Sequence, residues 1–290
     1  MIPAAFDYAA PDSVAEAITL LQQRPGEGKI IAGGQSLLPM MKLRVAMPGL
    51  VVDLRKTRGE LSHISTDGNN LRIGAMTSHA HIAGSDVVLD TLPVLAETAA
   101  EIADVQVRNL GTIGGSIAHA DPVADYPATL LALDARAQIA GPNGVRVVSV
   151  DELIMDAFIT TLAEDEIITE IIIPISDGQT GAAYLKFANK ASHFAIVGAA
   201  ATVSLDDSGY LSRVAVGITG AASRAARATA VEDALRGHVP TPDAIATASA
   251  MAADGLECIA DLHGSPEYRQ NLCRVLTKRA LTKAVERARE

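Results

Sequence analysis

The sequence has few aromatic residues. Its 290 residues include no tryptophan, five tyrosines and four phenylalanines. Each aromatic side chain can bury a large area against a ligand, so a binding site that relies on stacking needs several of them. We therefore do not expect a ligand of this protein to be held mainly by stacked rings, and we expect backbone groups and small side chains to bind it instead.

Cysteine is also scarce, and Cys258 and Cys273 are the two thiols of the chain. Two thiolates cannot complete an iron–sulfur cluster or a Cys₄ zinc site, which take four ligands. A disulfide between them is an open alternative, but a chain without an export signal is expected to keep both thiols reduced. The favoured interpretation is that both side chains are small apolar fillers.

Basic residues are outnumbered by acidic ones. The chain has 24 lysines and arginines against 34 aspartates and glutamates, a formal net charge of −10. This balance argues against binding to nucleic acid or to an anionic membrane surface. The densest apolar stretch, residues 194–205, is shorter than the roughly 20 residues that a membrane-spanning helix needs. No basic residue precedes Arg24, so we also expect no secretory signal segment.

Short strands and helices alternate along the chain, which predicts an α/β or α+β protein. A helix capped by Asp12 or Ser13 is predicted to end near Gln23. Further strands are predicted at 29–32, 50–54, 61–65, 71–73, 136–140, 145–150, 167–173, 183–187, 195–205 and 214–218. Further helices are predicted at 37–44, after Thr77 and Thr91, near 125–133, 226–236 and 242–253, and from 267 onward. Ser176-Asp177-Gly178 is the best candidate for a domain boundary.

The first segment that suggests a ligand is Gly-rich and joins a predicted strand to a helix. It consists of Ala32, Gly33, Gly34, Gln35 and Ser36, with Leu37 opening the helix. Glycines let the backbone approach an anion closely, and the N–H groups at a helix start can donate to it. The segment matches neither a P-loop nor a three-glycine dinucleotide fingerprint. It predicts an anion site, with an ordinary tight turn as the alternative.

The second segment, read as a Gly-rich loop, runs from Gly111 to Ser116 and is followed by two carboxylates four residues apart, Asp121 and Asp125. Glycines and hydroxyls suit a pyrophosphate, and a carboxylate suits the hydroxyls of a sugar or polyol. Two anion segments and a polyol acceptor in one chain predict a bound dinucleotide.

The strings AGGQSLLPMMKLR and GTIGGSIAHADPVADYPA resemble the two FAD-binding motifs of the flavoprotein (medium) subunit of molybdenum hydroxylases. That family includes carbon monoxide dehydrogenase medium chains and xanthine dehydrogenase FAD subunits. The resemblance covers essentially the whole chain and implies an α+β fold. A vanillyl-alcohol-oxidase/PCMH-like FAD-binding domain would comprise subdomains 1–57 and 58–176. A C-terminal flavoprotein domain, 177–290, would contain three antiparallel strands with helices.

The same resemblance implies which residues would contact FAD. Backbone amides of residues 32–36 and 112–116 would hold the pyrophosphate, Asp125 would accept from the ribityl chain, and Lys186 would approach the polar edge of the isoalloxazine. No catalytic and no metal-binding residue is implied. The complete predicted set is Ala32, Gly33, Gly34, Gln35, Ser36, Leu37, Thr112, Ile113, Gly114, Gly115, Ser116, Asp121, Asp125, Ile168 (or its neighbour Ile167), Lys186 and Phe194.

Two positions depart from the family pattern. The first motif often carries His where this chain has Gln35. The carbon monoxide enzymes show Gly-Asp-Tyr where this chain has Ser192-His193-Phe194, so Phe194 is the candidate for the ring against the flavin, and His193 is an open alternative. The second departure leaves the oxidised substrate open. Elsewhere, His79 and His81 lack a third ligand and are expected to be surface histidines.

The function implied by the resemblance is electron transfer on FAD in a heterotrimeric molybdenum hydroxylase. A large molybdopterin subunit and a small [2Fe–2S] subunit would be the partners, in a dimer of heterotrimers, and quinone, oxygen or NAD⁺ the acceptor. The implied location is cytoplasmic, with a peripheral position at the inner membrane face as a variant. A stand-alone FAD oxidase of the related fold is the alternative. A binding module that has lost its flavin is a second one, which the intact glycines argue against.

Overall fold

The structure, a computed structural model, describes residues 2–176 and 178–290. Asp177, at the centre of the predicted boundary, lies outside the described residues. Hydrophobic side chains gather into three buried clusters, one under each of the three larger sheets. The cluster residues come from the periodic apolar positions of the helices and strands, which is why the sequence pattern could anticipate most of these elements.

The first sheet is a parallel sheet of three short strands, in the order β1-β3-β2. The strands are accompanied by helices, and the N-cap of α1 is Ser13, one of the two predicted candidates. The strand β1 was missed, because three residues carry too little periodicity to predict a strand. The elements are β1 (Asp7–Ala9), α1 (Val14–Gln23), β2 (Gly28–Ile31), α2 (Leu37–Lys42), β3 (Leu50–Asp53), a 3₁₀ turn (Leu54–Thr57) and α3 (Arg58–Leu61).

The second sheet is antiparallel, and six helices lie between its second and third strands in chain order. Leu61, predicted to start a strand, belongs to α3 instead. The elements are β4 (Ile64–Asp67), β5 (Asn70–Gly74), α4 (His79–Ala83), α5 (Asp86–Thr91), α6 (Pro93–Glu101), α7 (Val105–Leu110), α8 (Ile113–His119), α9 (Asp125–Ala132), β6 (Arg136–Gly141), β7 (Gly144–Ser149), α10 (Val150–Leu153), β8 (Ile154–Asp156), β9 (Ile159–Thr160) and β10 (Ile167–Pro174).

In this second sheet the strand order is β4-β5-β10-β6-β7, while β8 and β9 form a separate hairpin. The last strand along the chain, β10, therefore lies in the middle of the sheet. It pairs with β5 on one side and β6 on the other, both antiparallel. The segment from α4 to α9, which contains the second Gly-rich motif, therefore leaves the sheet after β5 and returns to it at β6, on the other side of β10.

The predicted Gly-rich loop at 111–116 is largely helical. Residues 113–119 form α8, and Thr112 is its N-cap. Two consecutive glycines disfavour a helix in isolation, by roughly 1 kcal/mol each relative to alanine. Packing compensates here, since Ile113 and Ile117 are fully buried on the inner face of α8.

The third sheet contains four antiparallel strands in the order β11-β12-β13-β14, so the prediction of three strands is wrong. The extra strand is two residues long and was predicted as the start of a helix. The Arg227 guanidinium holds it at the sheet edge through Glu232 Oε1 at 2.7 Å and the Leu131 carbonyl at 3.0 Å. The elements are β11 (Thr180–Ala188), β12 (Ala195–Leu205), β13 (Leu211–Thr219), β14 (Ala226–Arg227), α11 (Thr229–Leu235), α12 (Pro242–Ser249) and α13 (Pro266–Ala288).

Three further expectations concern the chain as a whole. Both cysteines are free thiols, Cys273 fully buried and Cys258 partly so, which agrees with their role as fillers. None of the helices in the described ranges is long and apolar enough to cross a membrane. The described residues also contain no group of three or more His, Cys, Asp or Glu side chains placed to bind a metal ion.

Candidate functional site

The first glycine segment, defined as residues 32–36, leaves the carboxyl end of β2 and leads directly into α2. Gly34 has φ +72°, a left-handed conformation that glycine adopts without strain. The Leu38 amide donates to the Gly34 carbonyl at 3.1 Å and closes the turn. Within residues 2–176 and 178–290, no protein acceptor faces the amides of residues 33–36. The segment therefore presents a run of free backbone donors, an arrangement suited to an anion.

The second glycine segment, defined as residues 111–116, uses five of its six amides within the protein, and the Thr112 amide has no acceptor among residues 2–176 and 178–290. Thr112 Oγ1 accepts from the Gly115 amide at 3.2 Å. The other amides of residues 113–116 donate to backbone carbonyls at 3.0 to 3.2 Å. Direct donation from the second segment to a pyrophosphate stays a prediction, for which Thr112 supplies the one amide without a protein acceptor in the described residues; the run of adjacent free donors belongs to the first segment.

Gly114 serves close packing of protein on protein. A Cβ at Gly114 would lie 2.5 Å from the Cβ of Ala75 and 2.8 Å from its carbonyl oxygen. Both distances are well inside van der Waals contact, so only glycine lets α8 lie on the chain that leaves β5. The space beside the Gly114 Cα is thus filled by the protein itself.

Gly33 is the point at which the two segments meet. A Cβ at Gly33 would lie 2.1 Å from the Leu110 carbonyl oxygen and 2.8 Å from the Gly111 Cα. A little further along, a Cβ at Gly115 would lie 3.7 Å from the Ala32 Cβ. The tertiary structure therefore brings together the two segments that the sequence singled out, with their backbones in direct contact.

His79 lies behind the second glycine segment and is 5 % exposed, so the prediction of a surface histidine is wrong for it. His81, two residues along α4, is exposed as predicted. The His79 amide donates to the Gly111 carbonyl at 3.0 Å, and its ring lies edge-on to Tyr126, with 5.2 Å between centroids. Burial, with a smaller contribution from the Arg108 charge, lowers the pKa of His79 from 6.5 to about 4.

This buried imidazole predicts a specific loss of stability in acid. The unfolded chain takes up the His79 proton near pH 6.5 and the folded chain only near pH 4, so its contribution is complete above pH 6.5 and declines as the pH falls toward 4. The full difference corresponds to about 3 kcal/mol. Urea unfolding of the wild type and His79→Gln between pH 4 and 8 measures it. The free energy of unfolding of the wild type minus that of His79→Gln should decrease as the pH falls. His81→Gln is the control, and a pH-independent difference for His79→Gln would contradict the assignment.

Asp125, Tyr184 and Lys186 form a buried polar cluster between α9 and β11. The Asp125 carboxylate is 4 % exposed, accepts from the Tyr184 hydroxyl at 2.6 Å and lies 3.0 Å from the Lys186 Nζ. Burial raises the pKa of Asp125, while Lys186 and Tyr184 act in the opposite direction. Lys186 Nζ also donates to the carbonyls of Glu101 at 2.6 Å and His193 at 2.8 Å.

The Lys186 side chain is 3 % exposed, and its ammonium hydrogens have three acceptors. In this arrangement the charge ties β11 to α9, to the end of α6 and to the loop before β12. The predicted position of Lys186 at the edge of a flavin ring stays a prediction. A ring that contacts Lys186 would have to approach an ammonium group that already binds Asp125 and two backbone carbonyls.

The remaining predicted residues lie at different depths. Ile168 is buried in β10, whereas Phe194 is 48 % exposed just before β12. Asp121 follows α8, and its side chain accepts from the Val123 amide at 3.0 Å. Gln35 donates through Nε2 to the Gly33 carbonyl at 3.3 Å, so it contacts its own segment. Leu37 opens α2, and Ser36 has no capping hydrogen bond there.

Sequence reasoning missed Tyr184 and the position of His79. A signal for Tyr184 existed, because it stands two residues before Lys186 on one strand and alternate residues share a face. For His79 no such signal existed. Its burial depends on the absence of a side chain at Gly111, where a Cβ would lie 2.6 Å from the His79 Nε2.

Comparison with known proteins bears directly on this geometry. Residues 4–176 match the family model described as the FAD binding domain in molybdopterin dehydrogenase, and residues 182–284 match the CO dehydrogenase flavoprotein C-terminal domain. The chain is similar to the carbon monoxide dehydrogenase medium chain of Hydrogenophaga pseudoflava, with 40% identity over 98% of each chain. It is also similar to the 6-hydroxypseudooxynicotine dehydrogenase complex subunit alpha of Paenarthrobacter nicotinovorans, with 39% identity over 100% of this chain and 97% of that one.

A solved structure agrees with these similarities. The carbon monoxide dehydrogenase from Hydrogenophaga pseudoflava lacking the Mo-pyranopterin moiety of its cofactor superimposes with a TM-score of 0.96. The identity is 41%, and 99% of each chain is covered. The resemblance drawn from the two motifs is thus confirmed, as is the succession of an FAD-binding domain and a flavoprotein C-terminal domain. The chain belongs to the family of FAD-binding flavoprotein subunits of molybdopterin dehydrogenases.

Proposed function

We propose that this chain carries FAD in a heterotrimeric molybdenum hydroxylase, receives electrons from [2Fe–2S] clusters of a partner subunit and passes them to an external acceptor. One observation carries the proposal. The free amides of residues 33–36 lie where the first glycine segment contacts the second, at the carboxyl end of a parallel strand. Ligand sites in sheets that contain parallel strands form at that end of the strands.

The residues present fit an FAD pyrophosphate. Free N–H groups donate to phosphate oxygens, and a glycine backbone lets the phosphate come close without a Cβ in between. A side chain at Gly33 would press into the Leu110 carbonyl and move these donors away from the second segment. Bound FAD would supply an isoalloxazine that accepts and releases electrons.

The roles of the other residues follow from their chemistry. Asp125 would accept from ribityl hydroxyls, with Asp121 as a second acceptor nearby in the chain, and Lys186 would supply positive charge toward the polar edge of the ring. Ile168 would pack on the ring as a buried apolar group, and Phe194 would cover it from the exposed loop before β12. The proposal gives none of these residues a role in proton transfer to a substrate.

The proposal includes partner subunits. Relatives of this chain are named as a medium chain and as a subunit of a dehydrogenase complex. We infer a large molybdopterin subunit, where the substrate would be oxidised, and a small [2Fe–2S] subunit, in a cytoplasmic dimer of heterotrimers. Carbon monoxide is one substrate that the relatives suggest, and N-heterocycles such as those of the nicotine-derived relatives are another.

We also propose the three-part division into 1–57, 58–176 and 177–290, with the first two parts forming a PCMH-like FAD-binding domain. Support comes from the three larger sheets, whose strands fall between residues 7 and 53, 64 and 174, and 180 and 227. Each sheet has its own cluster of buried hydrophobic residues.

FAD titration and purification test the function together. We expect the full chain, freed of flavin, to bind one FAD with a change in flavin fluorescence. We also expect a large and a small subunit to co-purify with the chain from its native source. A chain that does not bind FAD in the titration would overturn the proposal. A fully active single-chain oxidase would favour the stand-alone alternative.

A further inference from the structure

The backbone of Gly111 lies between the first glycine segment and the imidazole ring of His79. On one side, a Cβ at Gly33 would lie 2.8 Å from the Gly111 Cα. On the other, a Cβ at Gly111 itself would lie 2.6 Å from His79 Nε2 and 2.9 Å from His79 Cδ2. The backbone at Gly111 is therefore the middle layer of three, with the first glycine segment in front and an imidazole ring behind.

Backbone hydrogen bonds fix the same layers. Ser78 and Thr112 form an isolated antiparallel bridge. Across it, the His79 amide donates to the Gly111 carbonyl at 3.0 Å, and the Ile113 amide donates to the Thr77 carbonyl at 3.2 Å. The backbone of His79 is therefore bonded directly to Gly111, the residue whose other side its ring faces.

The imidazole has a firm support of its own. Its ring lies at 62° to the ring of Tyr126, which is completely buried. Tyr126 follows Asp125 in α9, and Asp125 is held by Lys186 and Tyr184 from the third sheet. A continuous series of contacts thus runs from that sheet through two rings to Gly111.

Neither ring is held there by a side-chain hydrogen bond. Across the part of the chain that the structure describes, His79 Nδ1 and the Tyr126 hydroxyl have no partner. Burying an unpaired polar atom costs about 1–3 kcal/mol. Packing between Tyr126 and Gly111, and not a side-chain hydrogen bond, therefore holds the imidazole in place.

We propose that His79 is a positioning residue for FAD: its ring is the back wall that presses the second glycine segment against the first and so sets the donors of residues 33–36 around the pyrophosphate. The inference rests on the proposed function. It concerns how the cradle is shaped, and His79 itself does not touch FAD.

A double-mutant cycle on the FAD dissociation constant tests this contact. Gly111→Ala inserts a methyl group into the imidazole, and His79→Ala removes the wall. We expect each single change to weaken FAD binding at least 10-fold. In the His79→Ala background the same methyl group meets no ring and keeps only its 3.0 Å contact with the Val107 carbonyl oxygen, so Gly111→Ala should then cost at most 3-fold. If Gly111→Ala weakens binding by the same factor in both backgrounds, the proposal is overturned.

A conservative variant separates positioning from general stability. His79→Gln keeps a planar group of similar length and is expected to bind FAD within 3-fold of the wild type, with the same visible circular dichroism of the bound flavin. His79→Ala should alter that spectrum. This comparison decides the matter alone if Gly111→Ala does not fold: equal affinity and spectrum in His79→Ala and the wild type would refute the role.

Two controls keep the outcomes distinct. His81→Ala changes an exposed histidine of the same helix and should leave FAD affinity unchanged. A wild-type chain that fails to bind FAD would contradict the proposed function. A wild type that binds FAD beside an unaffected His79→Ala would contradict only the positioning role.

Discussion

Gly33→Ala is expected to weaken FAD binding at least about 100-fold, a change of about 2.7 kcal/mol in binding free energy. The new methyl carbon would lie 2.1 Å from the Leu110 carbonyl oxygen, which belongs to the backbone and cannot rotate away. The two glycine segments must then separate, and the free amides of residues 33–36 no longer face a bound pyrophosphate together. Titration of the flavin-free chain, followed by flavin fluorescence, measures the effect.

Gly59→Ala provides the matched control. Gly59 lies in α3, its added Cβ has no described atom within 4 Å beyond its chain neighbours and the backbone of its own helix, and alanine is a better helix former than glycine. We expect wild-type affinity and equal or slightly higher stability in this variant. Should Gly33→Ala bind FAD as tightly as Gly59→Ala does, the contact between the two segments would not be what forms the cradle.

Lys186→Met is expected to destabilise the folded chain by about 3–5 kcal/mol, the usual cost of removing one partner of a buried ion pair. The change leaves the buried Asp125 carboxylate with the Tyr184 hydroxyl as its remaining side-chain partner. It also removes the donor to the Glu101 and His193 carbonyls. Urea unfolding of the flavin-free chain at pH 7.5, followed by circular dichroism, gives the free energy of unfolding.

Two further variants identify the cause of that loss. Lys186→Met combined with Asp125→Asn removes both charges and should recover part of the stability, because no uncompensated charge stays buried. Lys190→Met, on an exposed side chain nearby, should change stability by less than about 0.5 kcal/mol. A stability of Lys186→Met within 1 kcal/mol of the wild type would show that the pair is not energetically coupled to the fold.

Local patterns predicted most of the long elements of this fold. The apolar stripe of α1 and the long apolar strands β10, β12 and β13 were anticipated because their patterns extend over many residues. The errors fall where the local signal is short or where packing overrides propensity. The strands β1 and β14 have three and two residues, and α8 is helical despite two consecutive glycines.

The candidate site shows the same limit in chemical terms. The two glycine segments could be found in the sequence because glycines, hydroxyls and carboxylates stand at fixed spacing. Their distant hydrogen bonds could not be found there, since the amides of Ile113 and Gly114 donate to the carbonyls of Thr77 and Ala75, far away along the chain. The packing of Gly114 on Ala75 likewise depends on a contact between distant parts of the sequence.

The sequence by itself determined the family, the cofactor and the two segments expected to hold it, because motifs of this length carry their chemistry in residue type and order. Only the tertiary structure decided which amides are free, that His79 is buried behind Gly111, and that Lys186 is shared between Asp125 and two carbonyls. The physical reason is that hydrogen bonding and burial depend on which groups meet in space, and those groups lie far apart along the chain.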